Sequence, residues 1–226
     1  MEALPLSTVY GEASMTDCGD SIEVMHSLFQ EEEGGSIPTS PLQLRFEIIE
    51  PRTAAVAYRK WHYLGDAGFL SQVNFGAYFD GLLEGAISFG PLSAPEMKGY
   101  WDRKTQFGWY EIKRLAMSPS CPHNSESRFI GRTISLLRKR CSVKGIVTYA
   151  DAGYGHVGTI YKAAGFRYLG LTAAKTDFWV GNENVGQRRG GIRGKIGEWR
   201  PRSRKHLFIK TFDGAGNDKR RSDGTV

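Results

Sequence analysis

A strand, a glycine-rich turn and a short helix follow one another between residues 145 and 166, and this block constrains the fold more than any other. The apolar run at residues 145–149 is typical of a buried strand. A helix is predicted over residues 157–164, and Gly165 ends it, as glycine commonly does just past a helix. Polar side chains suited to acid–base or ligand chemistry surround the turn: Asp151, His156 and Tyr161. Because α/β sheets bind ligands at the carboxyl ends of their strands, we expect a functional site here.

The rest of the sequence adds strands and helices around this block. Asp80-Gly81 predicts a hairpin, and Pro51 fits the first turn of a helix. Asn124 or Ser125 is the expected cap of a second helix. The periodicity predicts strands over residues 42–49, 75–79, 82–89, 109–117 and 167–172, helices over residues 52–61 and 125–140, and an extension of the sheet at residues 178–180. We therefore predict a single α/β (α+β) domain in which a sheet is flanked by helices.

Charge divides the 226 residues into unequal parts. Residues 1–40 contain eight acidic residues and no Lys or Arg, and they are poor in aromatic residues, so they are predicted to form a mostly disordered acidic arm. All 30 basic residues lie in the remainder. The predicted domain covers residues 41–212, and residues 213–226 are expected to be a disordered tail. A basic body of this kind indicates nucleic acid, an anionic cofactor or a membrane surface as the partner.

The sequence also argues against a membrane-spanning or secreted protein. No apolar run reaches the roughly 18 residues needed to span a bilayer, so no membrane partner is expected. The N-terminus lacks the pattern of a signal peptide. Three cysteines without metal-ligand spacing are typical of reduced thiols. Together these features predict a cytoplasmic protein, as a monomer or a homodimer.

A basic segment at residues 187–210 is predicted to bind DNA through its phosphates. Aromatic and aliphatic residues are interleaved with its charges, as in many nucleic-acid surfaces. The alternative is a solvated tail that balances the acidic arm. The candidate DNA-binding residues are Arg188, Arg189, Arg200, Arg202, Arg204 and Lys205.

The order of elements resembles the GNAT acyltransferase fold, whose core is a mixed, splayed sheet. Residues 161–166, Tyr-Lys-Ala-Ala-Gly-Phe, resemble the segment after the fifth strand of that family, and residues 111–117 resemble its fourth strand. One loop departs from the family, since residues 122–128 lack the glycines that let a backbone approach a diphosphate. Glu126 in this loop adds a repelling charge. A coenzyme A derivative is therefore implied by the fold but opposed by the loop.

The chain resembles more closely the Mom family of phage DNA-modification proteins, a divergent GNAT branch. The shared motifs are His62-Tyr63-Leu64, Arg114-Leu115-Ala116, Asn124-Ser125-x-Ser127, Tyr149-Ala150-Asp151, residues 155–161 (Gly-His-Val-Gly-Thr-Ile-Tyr) and Lys205-His206. The resemblance implies conversion of adenine in double-stranded DNA to an N6-carbamoylmethyl derivative, which protects the DNA from restriction. It also implies iron, and it leaves the donor of the transferred group open.

The resemblance assigns functional positions in this sequence. His62, Tyr63, Asp151 and Tyr161 carry the chemistry and are also the implied metal ligands. Arg114, Asn124, Ser125, Ser127 and His156 are implied cofactor or phosphate contacts. Plainer interpretations remain: a core histidine at His62, a helix cap at Asp151 or His156, and a core side chain at Tyr161.

The chemistry of adenine gives these residues distinct tasks. The N6 amine is a poor nucleophile, so a carboxylate such as Asp151 is suited to remove its proton, and a phenol such as Tyr161 to donate to a leaving group or oxyanion. Because N6 is paired inside the duplex, the base is expected to flip out and stack on Trp61, Trp101 or Trp109. The rival functions are an acetyl-CoA-dependent N-acetyltransferase and a non-catalytic DNA-binding module.

Overall fold

The computed structural model describes residues 36–65, 68, 70–186 and 192–212. The predicted tail, most of the predicted acidic arm, and Arg188 and Arg189 lie outside these residues. Among these described residues there are three α-helices: α1 (Pro51–Trp61), α2 (Ser125–Arg140) and α3 (Thr159–Ala163). The strands are β1 (Arg45–Ile49), β2 (Val73–Phe79), β3 (Leu82–Gly90), β4 (Trp109–Met117), β5 (Gly145–Asp151), β6 (Arg167–Leu171), β7 (Lys175–Val180), β8 (Glu183–Gly186), β9 (Glu198–Arg202) and β10 (Lys205–Thr211). Within the described ranges, no helix is long and apolar enough to cross a membrane.

Seven strands form the main sheet, in the order β1-β2-β3-β4-β5-β10-β6. All neighbours are antiparallel except β4 and β5, which pair in parallel only between residues 109–111 and residues 145–147. Beyond these residues β4 continues to Met117 and β5 to Asp151 without pairing to each other, so the two strands diverge. The predicted mixed and splayed sheet is confirmed, and the gap between β4 and β5 opens the sheet at one end.

Helices cover both faces of this sheet. Ile87 and Phe89 of β3 belong to the core that includes Phe129 of α2. Ser88 between them points the other way and bonds to the Tyr58 hydroxyl of α1 at 2.6 Å. Since side chains alternate along a strand, α1 and α2 lie on opposite faces. The buried apolar faces of these helices, predicted from their periodicity, hold the layers together.

The local sequence explains most of the element boundaries. Asp80 and Gly81 have φ angles of 48° and 83°, as the predicted hairpin turn between β2 and β3 requires. Pro51 is the first residue of α1, as predicted. The first strand begins later than predicted, at Arg45, because Ser40 caps a short 3₁₀ helix over Pro41–Gln43.

Two predictions about helix starts are wrong. No side chain caps α2: Asn124 has a left-handed backbone with φ of 69° and accepts no capping hydrogen bond on its side chain. The last helix is shorter than predicted and begins at Thr159. Gly158 before it has φ of 73°, and a Cβ there would lie 2.3 Å from the Phe208 ring. This glycine therefore brings the turn against β10.

The C-terminal part of the chain differs from the prediction. Residues 178–180 do not extend the main sheet but lie in β7, the centre of a separate three-stranded sheet, β8-β7-β9. The apolar residues of the basic segment then enter the main sheet in β10, where Phe208 and Ile209 are buried. The segment is therefore partly core, because β10 completes the sheet between β5 and β6.

Candidate functional site

The candidate site is a cleft of about 570 Å³ where β4 and β5 diverge. One wall is formed by residues 111–117 of β4, and the other by residues 149–151 of β5 and the turn that follows. The end of α1 and Lys205 of β10 close the cleft. The structure brings together six of the predicted catalytic and cofactor-contact residues: His62, Tyr63, Arg114, Asp151, His156 and Tyr161.

Asp151 is the last residue of β5 and is almost buried. Its Oδ1 accepts a hydrogen bond from the Gly153 N–H at 3.0 Å, which fixes the 3₁₀ turn Ala152–Tyr154. Its Oδ2 lies 3.9 Å from the Lys205 ammonium on the neighbouring strand β10. The carboxylate thus caps a turn, though not the helix considered from the sequence, and still has one oxygen directed to a cation beside the cleft.

His62 and Tyr63 follow the last residue of α1. The His62 Nδ1 accepts a hydrogen bond from the Leu64 N–H at 3.1 Å, so the neutral ring has its proton on Nε2. Burial, with Arg114 and His156 nearby, lowers the pKa of His62 to about 4, and the ring is neutral near pH 7. Arg114 donates to the Gly65 carbonyl, which holds the loop after α1 against β4.

A cluster of aromatic rings lies at the mouth of the cleft. The Tyr63 ring centroid is 4.5 Å from that of His62, 4.3 Å from that of Tyr154 and 5.1 Å from that of His156. Tyr154 is 56% exposed and Tyr63 is 44% exposed. Tyr63 and His156 line the cleft, and Tyr154 lies beside it against Tyr63. We call these three side chains the cleft rings. They offer an open aromatic surface beside the Asp151 carboxylate.

Tyr161 of α3 forms part of the core as well as the cleft. Its ring packs against Phe166 and Phe208 at centroid distances of 6.0 and 5.5 Å. Burial raises the pKa of its phenol, and the Thr148 side chain opposes that rise. The phenol therefore keeps its proton near neutral pH and can act only as a hydrogen-bond donor or acceptor there.

The loop before α2 contributes differently than the resemblance implies. Asn124, Ser125 and Ser127 do not line the cleft, whereas Glu126 does. The Ser125 hydroxyl donates to the Pro122 carbonyl at 2.6 Å, and the Ser127 hydroxyl to the Asn124 carbonyl at 3.1 Å. A carboxylate at this helix N-terminus repels the diphosphate of a coenzyme A derivative, which such a helix end would otherwise attract.

Sequence reasoning missed two residues that line the cleft, Glu111 and Tyr149, and one beside it, Tyr154, whose ring contacts that of Tyr63. Glu111 of β4 is buried and accepts hydrogen bonds from the Ser93 N–H and hydroxyl at 2.7 and 2.8 Å. Burial beside Glu111 raises the pKa of the Tyr149 phenol to about 12. Tyr154 was overlooked because nothing in its local sequence marks it as an exposed ring at the site. For Glu111, the signal was the one acidic residue in a strand whose other charged residues, Lys113 and Arg114, are basic.

Two of the three tryptophans expected to stack on a base are in the wrong place. Trp101 and Trp109 are buried, with ring centroids 5.0 Å apart, and they pack on Val147 and Ile209. No base can reach their faces without unfolding this core. Trp61 does line the cleft, with the Lys60 ammonium 5.4 Å above its ring.

The predicted DNA-binding residues are engaged in several ways. Arg202 pairs with the buried Asp177 carboxylate at 2.8 Å, and Arg200 pairs with Glu198 at 2.6 Å. Arg204 donates to the Thr172 carbonyl at 2.8 Å. Lys205 faces Asp151 rather than open solvent alone. These arginines are placed by contacts within the domain, which leaves only part of their donor capacity for a phosphate.

The side chains of the cleft do not fit the implied iron. Among the described residues, no group of three or more His, Cys, Asp or Glu side chains is arranged to hold a metal ion. Of the four implied ligands, Tyr161 is packed in the core and keeps its phenol proton. We therefore derive no chemical step through iron.

Sequence comparison places the chain in a family. The Mom protein family profile matches residues 43–205, and the chain belongs to this family. It is 27% identical over 145 residues to Methylcarbamoylase mom of Escherichia phage Mu. That match covers 62% of this chain and spans 59% of the length of the relative.

Solved structures with a similar arrangement include acetyltransferases. A ribosomal-protein-alanine N-acetyltransferase from Brucella melitensis matches with a TM-score of 0.40 and 18% identity, over 62% of this chain and 68% of its own. An N-acetyltransferase from Staphylococcus aureus Mu50 matches with a TM-score of 0.44 and 12% identity, over 74% of this chain and 97% of its own. Structural similarity at this level does not support any inference about chemistry. The evidence for the splayed sheet is the strand pairing described above.

Proposed function

We propose that this protein is a DNA-modification enzyme that transfers a carbamoylmethyl group to N6 of adenine and so protects DNA from restriction. Family membership and the methylcarbamoylase name of the phage Mu relative support this class of reaction. The observation that carries the proposal is the Asp151 carboxylate in a cleft whose mouth is lined by exposed aromatic rings. A carboxylate beside an open aromatic surface matches the needs of a planar base with a weakly nucleophilic amine.

The transfer needs a base at the N6 amine. The N6 nitrogen attacks the methylene carbon of the donor, the new N–C bond forms, and the donor's leaving group departs with the bonding electron pair. Asp151 takes the N6 proton as this bond forms. The Lys205 ammonium, 3.9 Å from Oδ2, keeps the carboxylate in place on the cleft side.

The neutral donors of the cleft hold the transferred group. Tyr161 retains its phenol proton because burial raises its pKa. The neutral His62 ring has an N–H at Nε2. Both can donate to the amide oxygen of a carbamoylmethyl group, and a fixed donor in a sheltered cleft stabilises developing negative charge better than water does.

The cleft rings receive the base. Adenine N6 is paired inside a duplex, so the nucleotide must leave the stack before the amine reaches Asp151. Tyr63, Tyr154 and His156 then replace the lost stacking with ring contacts of their own. Stacking on an aromatic side chain is worth about 1–3 kcal/mol per base, enough to favour an extruded adenine over other positions in the cleft.

The donor is a small carbamoylmethyl compound or conjugate rather than a molecule held by a diphosphate clamp. The support is Glu126, which lines the cleft at the N-terminus of α2. Calorimetry with acetyl-CoA on the purified protein tests this point. We expect no measurable heat of binding. A dissociation constant in the low micromolar range, which corresponds to a binding free energy of about −8 kcal/mol, would instead favour the acetyltransferase function.

The decisive experiment is nucleoside analysis of DNA from cells that express the protein. Enzymatic digestion followed by tandem mass spectrometry should reveal a deoxyadenosine heavier by one carbamoylmethyl substituent, with fragments that place it on the exocyclic nitrogen. Cells with the empty vector are the control. Only unmodified nucleosides in both samples would refute the proposed function and leave the N-acetyltransferase and the DNA-binding module as the alternatives.

A further inference from the structure

We propose that the three-stranded sheet β8-β7-β9, with the loop that leads into β9, binds duplex DNA beside the cleft. In this arm, as we call it, Ile196 and Trp199 make apolar contacts with the bases. This inference rests on the proposed function, because it supplies the surface that presents DNA to the cleft. It goes beyond phosphate binding by the basic segment, since the contacts that it assigns are apolar.

Exposed apolar side chains mark the arm. Ile196 is 95% exposed in the loop that leads into β9. Trp199 in β9 is 53% exposed, and its ring is braced edge-on against Phe178 with centroids 5.4 Å apart. The braced tryptophan keeps one face open, so it can meet a planar partner at little cost in side-chain freedom.

The loop that carries Ile196 lies close against β7. A Cβ at Gly197 would lie 2.0 Å from the Trp179 carbonyl oxygen and 2.9 Å from the Phe178 ring. Only glycine permits this approach of the loop to β7. Ile196 therefore projects from a backbone that is packed on one side, rather than from a free hairpin tip.

The charge around these side chains selects a polyanion as the partner. Residues 192–205 contain six Lys or Arg residues and one acid, Glu198. That acid is neutralised by Arg200, whose guanidinium also lies 5.0 Å above the Trp179 ring. Arg193 and Lys195 precede Ile196, are exposed, and have no ion-pair partner among the described residues. Cations beside an apolar projection are the features of proteins that insert a wedge between base steps.

The arm is joined directly to the cleft. The Arg204 carbonyl accepts a hydrogen bond from the Ala152 N–H at 3.1 Å, next to Asp151. A Cβ at Gly153 would lie 2.6 Å from Cβ of Ser203, so the link between β9 and β10 packs against the turn after Asp151. DNA held by the arm is therefore held at the rim of the cleft, where an extruded base has a short path to the cleft rings.

Duplex DNA binding by full-length variants tests the arm. Ile196→Ala and Trp199→Ala should each weaken binding to a mixed-sequence duplex about tenfold, by loss of contacts with bases, and leave the salt dependence unchanged. Arg193→Ala combined with Lys195→Ala should instead flatten the log–log salt slope by about 2. Phe107→Ala removes another highly exposed aromatic ring outside the arm and serves as the matched control, with wild-type affinity expected.

Wild-type affinity in Ile196→Ala would overturn the proposal, since replacement of a side chain this exposed leaves the fold intact. A flattened salt slope in Ile196→Ala or Trp199→Ala would also overturn it, because the contact would then not be apolar. Nucleoside analysis separates this proposal from the proposed function. Absence of modified adenine with the wild-type protein refutes the function alone, whereas modification together with unaltered DNA affinity in the arm variants refutes the arm alone.

Discussion

Two aromatic clusters lie on either side of the point where β4 and β5 diverge, and they differ in what they can touch. Tyr100, Trp101 and Trp109 pack together where the two strands are still paired. The cleft rings lie where the strands have separated. Residue type alone would rank the tryptophans as the better base-stacking groups, yet they are buried. The position of a ring relative to the splay decides whether it supports the fold or meets a ligand.

The tryptophan cluster is fixed by a close backbone approach. A Cβ at Gly145 would lie 2.3 Å from the Trp109 ring, across the parallel pair that these two residues form. The Trp101 indole N–H donates to the Ala94 carbonyl at 3.1 Å. This cluster therefore holds the loop between β3 and β4 against the paired end of the sheet. The cleft rings have no equivalent structural role.

The largest effect is expected from Asp151→Asn. Loss of the base should lower the yield of modified adenine in cells at least about a hundredfold, since positioned proton transfer contributes about 10²–10⁴ in rate. The amide can still accept the Gly153 hydrogen bond, so the fold should persist. Asp80→Asn, in an exposed turn, is the matched control, and its yield should equal that of the wild type. Yields within a few fold for Asp151→Asn would remove this residue from the role of base.

Trp109→Ala should act on stability. The side chain is 5% exposed and packs against the rings of Tyr100 and Trp101, and truncation of such a residue costs about 3–5 kcal/mol in the free energy of unfolding. Urea denaturation followed by circular dichroism measures the loss. A change below about 1 kcal/mol would show that the tryptophan cluster is dispensable to the fold and would weaken the contrast with the cleft rings.

Tyr154→Ala should lower the yield of modified adenine and leave the stability of the fold nearly unchanged. Its half-exposed ring contributes little to the core, so the free energy of unfolding should change by less than about 0.5 kcal/mol. The yield of modified adenine should fall about tenfold, because the base loses a stacking partner. Tyr154→Phe keeps the ring and should restore the yield. If the phenylalanine variant is as poor as the alanine variant, the hydroxyl matters and stacking is not the role of this residue.

The smallest effect concerns the pH dependence of stability. The pKa of His62 falls from its ordinary value of 6.5 to about 4 in the folded protein, because burial and Arg114 disfavour the charged ring. Between these values the unfolded chain binds a proton that the folded chain does not, so stability should decline as pH falls from 6.5 towards 4. His62→Gln should remove this part of the decline, as measured by urea denaturation at several pH values. Trp109→Phe should retain this decline. If His62→Gln leaves the slope of the unfolding free energy against pH unchanged, the decline does not come from His62.

Much of the main sheet could be predicted because its signals are local. Asp80-Gly81, Pro51 and the alternation along β4 each act within a few residues. The position of β10 could not be predicted in this way, because pairing with β5 and β6 joins residues far apart in the chain. The small sheet was missed for a related reason: β7 and β9 pair across a gap of more than ten residues, and their mixed composition resembles a solvated tail.

The site was predictable where a strand end marks it. Asp151, His156 and Tyr161 were located by the turn after β5, and the structure brings them to one cleft with His62, Tyr63 and Arg114. Asn124, Ser125 and Ser127 do not line that cleft, because the backbone before α2 occupies the hydroxyls of the two serines. Trp109 is buried, whereas Tyr154 is exposed. This difference depends on where β4 and β5 diverge, which no local sequence pattern encodes.

The central claim is that the cleft rings receive an adenine that has left the duplex. Permanganate oxidises thymines that are unpaired and unstacked, so it reports the partner of an extruded adenine. The measurement is permanganate footprinting of a long duplex bound by the Asp151→Asn protein, which should hold the base without modifying it. We predict reactive thymines opposite the adenines that the wild type modifies, and their loss when Tyr63→Ala and Tyr154→Ala are added. Uniformly unreactive thymines under saturating protein would contradict the account.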